Sequence, residues 1–176
     1  MLLVASPNTM GGFFMKTVVL IVRHSERDGT VGFVLNMPTD HILSGAIEGA
    51  QSSPYMNDRL YMGGPVSPAS VFALTDKKMP PGRSERVLGN IYSTNDVMGI
   101  IKDGSDIPHR LKVLSGFTGW APGQLHAEIE RGGWLITVPD EDDLFHDRDP
   151  ESLWNKYLEK GGGNPAEKKG KNQDLP

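Results

Sequence analysis

Apolar residues along this chain come in short runs, some continuous and some at helical spacing, separated by turn-forming residues. Leu2 to Ala5 is apolar and closed by Pro7-Asn8, which predicts a first strand ending in a turn, with Phe13 and Phe14 following as core anchors. Thr17 to His24 and Val31 to Leu35 flank the turn pair Asp28-Gly29, which predicts two hairpin-paired strands. Both runs are apolar throughout rather than alternating, so the sheet they join is expected to be covered on both faces. Asp40 ahead of Ile42, Leu43, Ala46 and Ile47 reads as the cap of a short helix that contains Gly45.

Further along, Leu60 to Met62 and Val71 to Leu74 read as strands around Gly63-Gly64-Pro65, and the polar stretch Lys77 to Arg86 reads as a loop. Ser93 and Asp96 precede Val97, Met98, Ile100 and Ile101, which predicts a capped helix stopped by Gly104. Arg110 to Leu114 alternates as a half-exposed or edge strand would. Gln124 to Arg131 reads as a short helix, and Trp134 to Val138 as a strand. Asp149 and Pro150 then open an amphipathic helix carrying Leu153, Trp154, Tyr157 and Leu158 on one face, stopped by Gly161. Interleaved strands and helices predict an α/β or α+β domain over residues 1–160, built on a mixed sheet covered on both sides. Residues 161–176 contain three consecutive glycines and only two apolar residues, Ala166 and Leu175, and are expected to be a disordered tail.

Composition narrows the chemistry. At 176 residues without cysteine, the chain is large enough for a single core, and disulfides, thiolate metal sites and a cysteine nucleophile are excluded. The net charge of -4 argues against a broad grip on nucleic acid. Val18 to Val22 is too short to span a bilayer, and the first residues lack a secretory pattern, so a cytoplasmic protein without membrane or cofactor is expected.

Several apparent motifs fail. Gly161-Gly162-Gly163-Asn164-Pro165-Ala166 has the letters of a dinucleotide loop but follows a helix and opens none. Asp140, Asp142 and Glu151 match three calcium-loop positions, yet Leu144 and Phe145 stand where a ligand and a glycine are required. His126 and Glu128 are half of a zinc deaminase motif whose cysteine half is missing; His126 and Glu130 fit a surface pair one helical turn apart. His24, with Glu26 and Asp28 nearby, is a candidate imidazole with no nucleophile assignable from sequence.

The segment Gly116-Phe117-Thr118-Gly119-Trp120-Ala121-Pro122-Gly123-Gln124-Leu125, followed by Glu128, is the most distinctive. Its glycines predict a tight strand-to-helix connection, with backbone N–H groups at the helix start facing a ligand, or else close packing around a core Trp120. It resembles the YqgE/AlgH signature Gly-Tyr-x-Gly-Trp-x-x-Gly-Gln-Leu-x-x-Glu. Three further blocks agree in order and spacing: Leu3-Val4-Ala5-Ser6-Pro7, Gly32-Phe33-Val34-Leu35-Asn36 with Pro38-Thr39, and Gly63-Gly64-Pro65-Val66. Phe117 and Thr118 depart from the usual Tyr and Ala. The resemblance covers most of Met1 to Trp154 and implies a mixed α/β fold with a strongly curved or barrel-like sheet flanked by helices. It also brings a transcriptional-regulator label and no transferable catalytic residue.

The expected function is that of a non-enzymatic protein binding an unidentified small molecule or protein partner. Its candidate ligand-binding residues are His24, Asn36, Gly63, Gly64, Gly116, Gly119, Trp120, Gly123, Gln124 and Glu128, with no metal. One alternative is a hydrolase or transferase using His24 or His126. Another is a nucleic-acid-binding regulator, which requires Lys77, Lys78, Arg83 and Arg86 to form a local basic face.

Overall fold

The computed structural model of the chain describes residues 1–8, 12–102, 108–145 and 149–162. β1 (Leu2–Ala5), β2 (Val18–Ser25) and β3 (Gly29–Val34) form an antiparallel meander, with Gly29 at a φ of 91° turning β2 into β3. Asp40 caps nothing: it is exposed within β4 (Pro38–Ile42), which pairs with β5 (Arg59–Met62). The helix expected there shrinks to α1 (Leu43–Ala46), entered without a side-chain cap. With Gly45 inside it, so short a helix gains less from its own turn than the preceding residues gain from cross-strand pairing.

β6 (Val66–Thr75) is longer than its apolar run because a register shift between Val66 and Val71 lets the chain continue past a bulge. The polar stretch expected to be a loop ends in β7 (Glu85–Leu88), whose Glu85 and Arg86 pair with Ser93 and Tyr92 of β8 (Ile91–Thr94). Ser93 is thus a strand residue, and Asp96 alone caps α2 (Val97–Ile101), accepting from the Gly99 N–H at 3.0 Å. Gly104, the expected stop, lies outside the described residues.

β9 (Leu111–Trp120) corrects two expectations. It is no edge strand but the centre of the sheet, antiparallel to β3 and β6 and parallel to β5. It also runs straight through Gly116 and Gly119, so the turn into α3 (Gln124–Glu130) is confined to Ala121-Pro122-Gly123. Lys112, which gave this stretch its alternating look, is only 3 % exposed; its Nζ donates to the Leu35 carbonyl and lies 3.9 Å from the centre of the Tyr61 ring. β10 (Trp134–Thr137), α4 (Glu141–Leu144) and α5 (Pro150–Lys160) are the last elements among the described residues, with Asp149 capping α5 and Gly161 ending it.

Among the described residues, ten strands form one mixed sheet in the order β10-β1-β2-β3-β9-β6-β8-β7, with β5 joined to β9 and β4 to β5. The sheet is open, with β10 at one end and β7 at the other. It curls far enough for β7 to meet β2, and Val87 and Leu88 join the same apolar cluster as Leu20 and Phe33. Period-two alternation divides the core. Leu2, Val4, Val18 and Leu20 face inward onto Leu153, Trp154, Tyr157 and Leu158 of α5, while Leu3, Ala5, Val19 and Ile21 face Trp120, Leu125 and Trp134. A third cluster joins Leu43, Leu60, Ile100 and Val113. Each fully buried aliphatic side chain contributes about 1.5–3 kcal/mol. α5 is further fixed by Trp154, whose Nε1 donates to the Ala5 carbonyl at 2.8 Å, and by Tyr157, whose hydroxyl donates to buried Asp143 at 2.7 Å. Burial, reinforced by Asp143, pushes the Tyr157 phenol well above its usual range.

Candidate functional site

The distinctive glycines fall into two groups. Gly63, Gly64 and Gly116 lie where the chain leaves β5 and crosses β9: a Cβ on Gly63 would collide with the Gly116 carbonyl, one on Gly64 with the Phe117 backbone, and one on Gly116 with the Gly64 carbonyl. Gly116 also has a φ of 69°, in the left-handed region. These three residues let two backbones touch. Gly29 does the same against Trp120, while Gly123, at a φ of 78°, turns the chain into α3. Gly119 is exposed on β9.

Trp120, Gln124 and Glu128 form one hydrogen-bonded unit. Glu128 Oε2 accepts from both indoles, Trp120 Nε1 at 2.9 Å and Trp134 Nε1 at 2.8 Å, while its Oε1 accepts from Gln124 Nε2 at 3.0 Å. Gln124 Oε1 in turn accepts from the Ala121 N–H at 3.0 Å, stapling the turn before the helix. Partial burial disfavours the Glu128 charge, but the two indoles, the Gln124 amide and Arg131 outweigh it and hold the carboxyl below the usual carboxylate range. The Trp120 and Trp134 rings meet edge to face at 5.9 Å, and Phe14 contacts both. Asn36 is likewise occupied: its Oδ1 accepts from the Val18 N–H at 2.8 Å, and its amide donates to the Lys16 and Pro150 carbonyls, each at 2.9 Å.

A cleft of about 530 Å³ opens between the end of the β2–β3 hairpin and α3. Of the residues singled out from sequence, His24, Glu26, Gly123 and His126 line it, with Ala121 beside Trp120. Sequence reasoning missed Thr30 and the apolar wall of Leu125 and Ile129. Those two are spaced one helical turn apart on α3, a signal that was present but pointed only to packing. Thr30 is 4 % exposed, and its hydroxyl lies 2.7 Å from His24 Nδ1. Neither carboxylate expected to orient His24 bonds to it among the described residues: Asp28 accepts from Ser25 Oγ at 3.0 Å, and Glu26 lines the cleft while His24 Nδ1 meets Thr30. His126 Nε2 lies 3.2 Å from Glu130 Oε1, both well exposed. Among the described residues, no group of three or more His, Asp or Glu could hold a metal ion. Asp140 caps α4 and Glu151 pairs with Lys16.

The fold and its glycine-locked strand crossing define a class: a mixed α+β domain on a single curled, open sheet, with a two-tryptophan, one-carboxylate unit at the strand-to-helix turn. A model of AlgH-like proteins matches residues 2–166, and the chain belongs to that family. A UPF0301 protein of Ralstonia pickettii is 34 % identical over 170 residues, spanning 93 % of this chain and 88 % of its own. One from Pelodictyon phaeoclathratiforme is 31 % identical over 165 residues, spanning 92 % and 86 %. The solution structure of the AlgH protein from Pseudomonas aeruginosa superposes with a TM-score of 0.74 at 27 % identity, covering 99 % of this chain and 94 % of that one. A crystal structure of a Corynebacterium diphtheriae protein gives 0.72 at 25 % identity, covering 90 % and 84 %. No helix among the described residues is long and apolar enough to cross a membrane.

Proposed function

We infer that this chain is a cytoplasmic binding or regulatory protein that takes a small molecule or a short protein segment in the His24–His126 cleft. One observation carries the reading: the cleft sets an apolar wall, Leu125 and Ile129, against a polar one, His24 and Thr30, at a size suited to a ligand. Trp120, Gln124 and Glu128 act behind it, as the frame that holds Ala121 and Gly123 at its edge. The test is amide-resolved NMR of the full chain against a metabolite mixture. Shifts confined to Thr30, Ala121, Leu125 and Ile129, weakened in His24→Ala, are expected; a saturable response elsewhere that His24→Ala leaves unchanged contradicts the reading.

The 2.7 Å contact between His24 Nδ1 and the Thr30 hydroxyl favours a second reading, a hydrolase with Thr30 as nucleophile and His24 as base. No carboxylate orients His24 among the described residues, which weighs against it. Turnover of p-nitrophenyl acetate that disappears in both Thr30→Val and His24→Ala would establish this reading over the first. Nucleic-acid binding has less support: Arg83 is paired with Asp96 at 3.0 Å, and Glu85 adjoins Arg86. Salt-sensitive retention on DNA lost on Arg86→Gln would be needed for it.

A further inference from the structure

On the far side of the β2–β3 hairpin, the curl of the sheet leaves a second cavity of about 360 Å³ at the mouth of the half-barrel. Its walls follow from strand register. Arg23 pairs with Val31 across β2 and β3, and Glu85 pairs with Ser93 across β7 and β8, and all four line the cavity. Directly paired residues share a sheet face, so one wall presents a guanidinium beside an aliphatic side chain and the other a carboxylate beside a hydroxyl. Between them lie Phe33 and Phe72, with ring centres 5.3 Å apart; Phe117 supports Phe72 edge to face at 5.9 Å.

The charges sort by partner. Arg83 also lines the mouth, but its Nη1 is held by Asp96, whose other oxygen accepts from Gly99. Arg23 and Glu85 are exposed and, among the described residues, have neither an ion pair nor a side-chain hydrogen bond. One unpaired cation and one unpaired anion therefore border the same aromatic-floored cavity.

We propose that this cavity binds a small zwitterion with an apolar side chain, the chemistry of a free apolar α-amino acid. Its carboxylate meets the fork of Arg23, its ammonium meets Glu85, and its side chain lies on Phe33 and Phe72. Guanidinium and carboxylate match in geometry as well as charge. The size is at the lower end of ligand sites, which fits a single amino acid. A purely anionic ligand would face Glu85, and a purely cationic one Arg23. This site is independent of the His24–His126 cleft and stands or falls separately.

The experiment is amide-resolved NMR titration of the full chain with L-phenylalanine and L-leucine, then with phenylacetate and phenethylamine, each of which lacks one charge. Saturable shifts at Val31, Phe33, Phe72 and Ser93 are expected for the amino acids, with both single-charge analogues at least about tenfold weaker, a loss of roughly 1.4 kcal/mol. Arg23→Gln should weaken L-phenylalanine about tenfold and leave phenethylamine unchanged, and Glu85→Gln should weaken it while leaving phenylacetate unchanged. Both substitutions are at exposed positions, and the same spectra report whether the fold is intact. No saturable response to either amino acid, a response centred on Leu125 and Ile129, or equal affinity for the single-charge analogues overturns the proposal.

Discussion

The two ends of the sheet are built by opposite means. At the β10 end, both faces are closed. α5 lies on one, with Trp154 bonded to the Ala5 carbonyl, and the Trp120–Trp134–Glu128 unit lies on the other. At the β7 end, Glu85 and Arg86 stand exposed and the sheet stops short of closing, leaving a cavity floored by phenylalanines. The difference separates architecture from recognition. The residues that make the chain recognisable, Gly63, Gly64, Gly116, Trp120, Gln124 and Glu128, act as backbone crossings and hydrogen-bonded frames. The surfaces inferred to meet ligands use commonplace residues such as His24, Thr30, Arg23 and Glu85.

That contrast can be broken by substitution. The largest effect is expected for Trp154→Ala, which empties a buried site and orphans the Ala5 carbonyl. It should cost about 3–5 kcal/mol by urea unfolding, whereas a loss under about 1 kcal/mol would place α5 outside the core. Acid should act next. The Glu128 carboxyl has a depressed folded pKa, so its contribution is complete above the unfolded carboxylate value and is lost as pH falls through the folded one. The urea midpoint should therefore fall more steeply on acidification in the wild-type chain than in Glu128→Gln; identical profiles would remove Glu128 from the frame. Gln124→Ala loses two exposed hydrogen bonds and should cost about 1 kcal/mol. If stability is instead unchanged and only binding falls, Gln124 belongs to the ligand site. The smallest effect is expected on truncation after Lys160. The segment 161–176, proposed to be a dispensable tail, should shift Tm by less than about 2 °C, and a drop of several degrees would mean that it docks on the domain.

Legibility in sequence followed the range of the interactions. α5 was readable because Asp149, Pro150 and the Leu153–Trp154–Tyr157–Leu158 stripe act within a few residues, and the β2–β3 hairpin because Asp28-Gly29 sets its own turn. β9 is not legible locally because the contacts that define it are distant in sequence. Gly116 looks like a loop residue until Gly64 is brought against it, and Lys112 looks exposed until the Leu35 carbonyl and the Tyr61 ring cover it. Polar Glu85 and Arg86 hid β7, since a strand whose outer face is wet carries little apolar signal. The candidate cleft divides in the same way. His24 and Gly123 could be named from local chemistry, but Thr30 becomes a neighbour of His24 only through strand register, and the hydrogen bonds by which Asn36 ties β2 to α5 span distant parts of the chain.

Trp120, Gln124 and Glu128 serve as a frame behind the cleft, whereas Ala121 and Gly123 of the same segment stand at its edge. Urea unfolding of Glu128→Ala, followed by tryptophan fluorescence, probes that frame, because the substitution leaves the indole N–H groups of two buried tryptophans without their acceptor. A loss of at least about 2 kcal/mol with a perturbed indole spectrum is expected. Stability within about 0.5 kcal/mol of the wild-type chain would contradict it, since surface positions with no structural role behave that way.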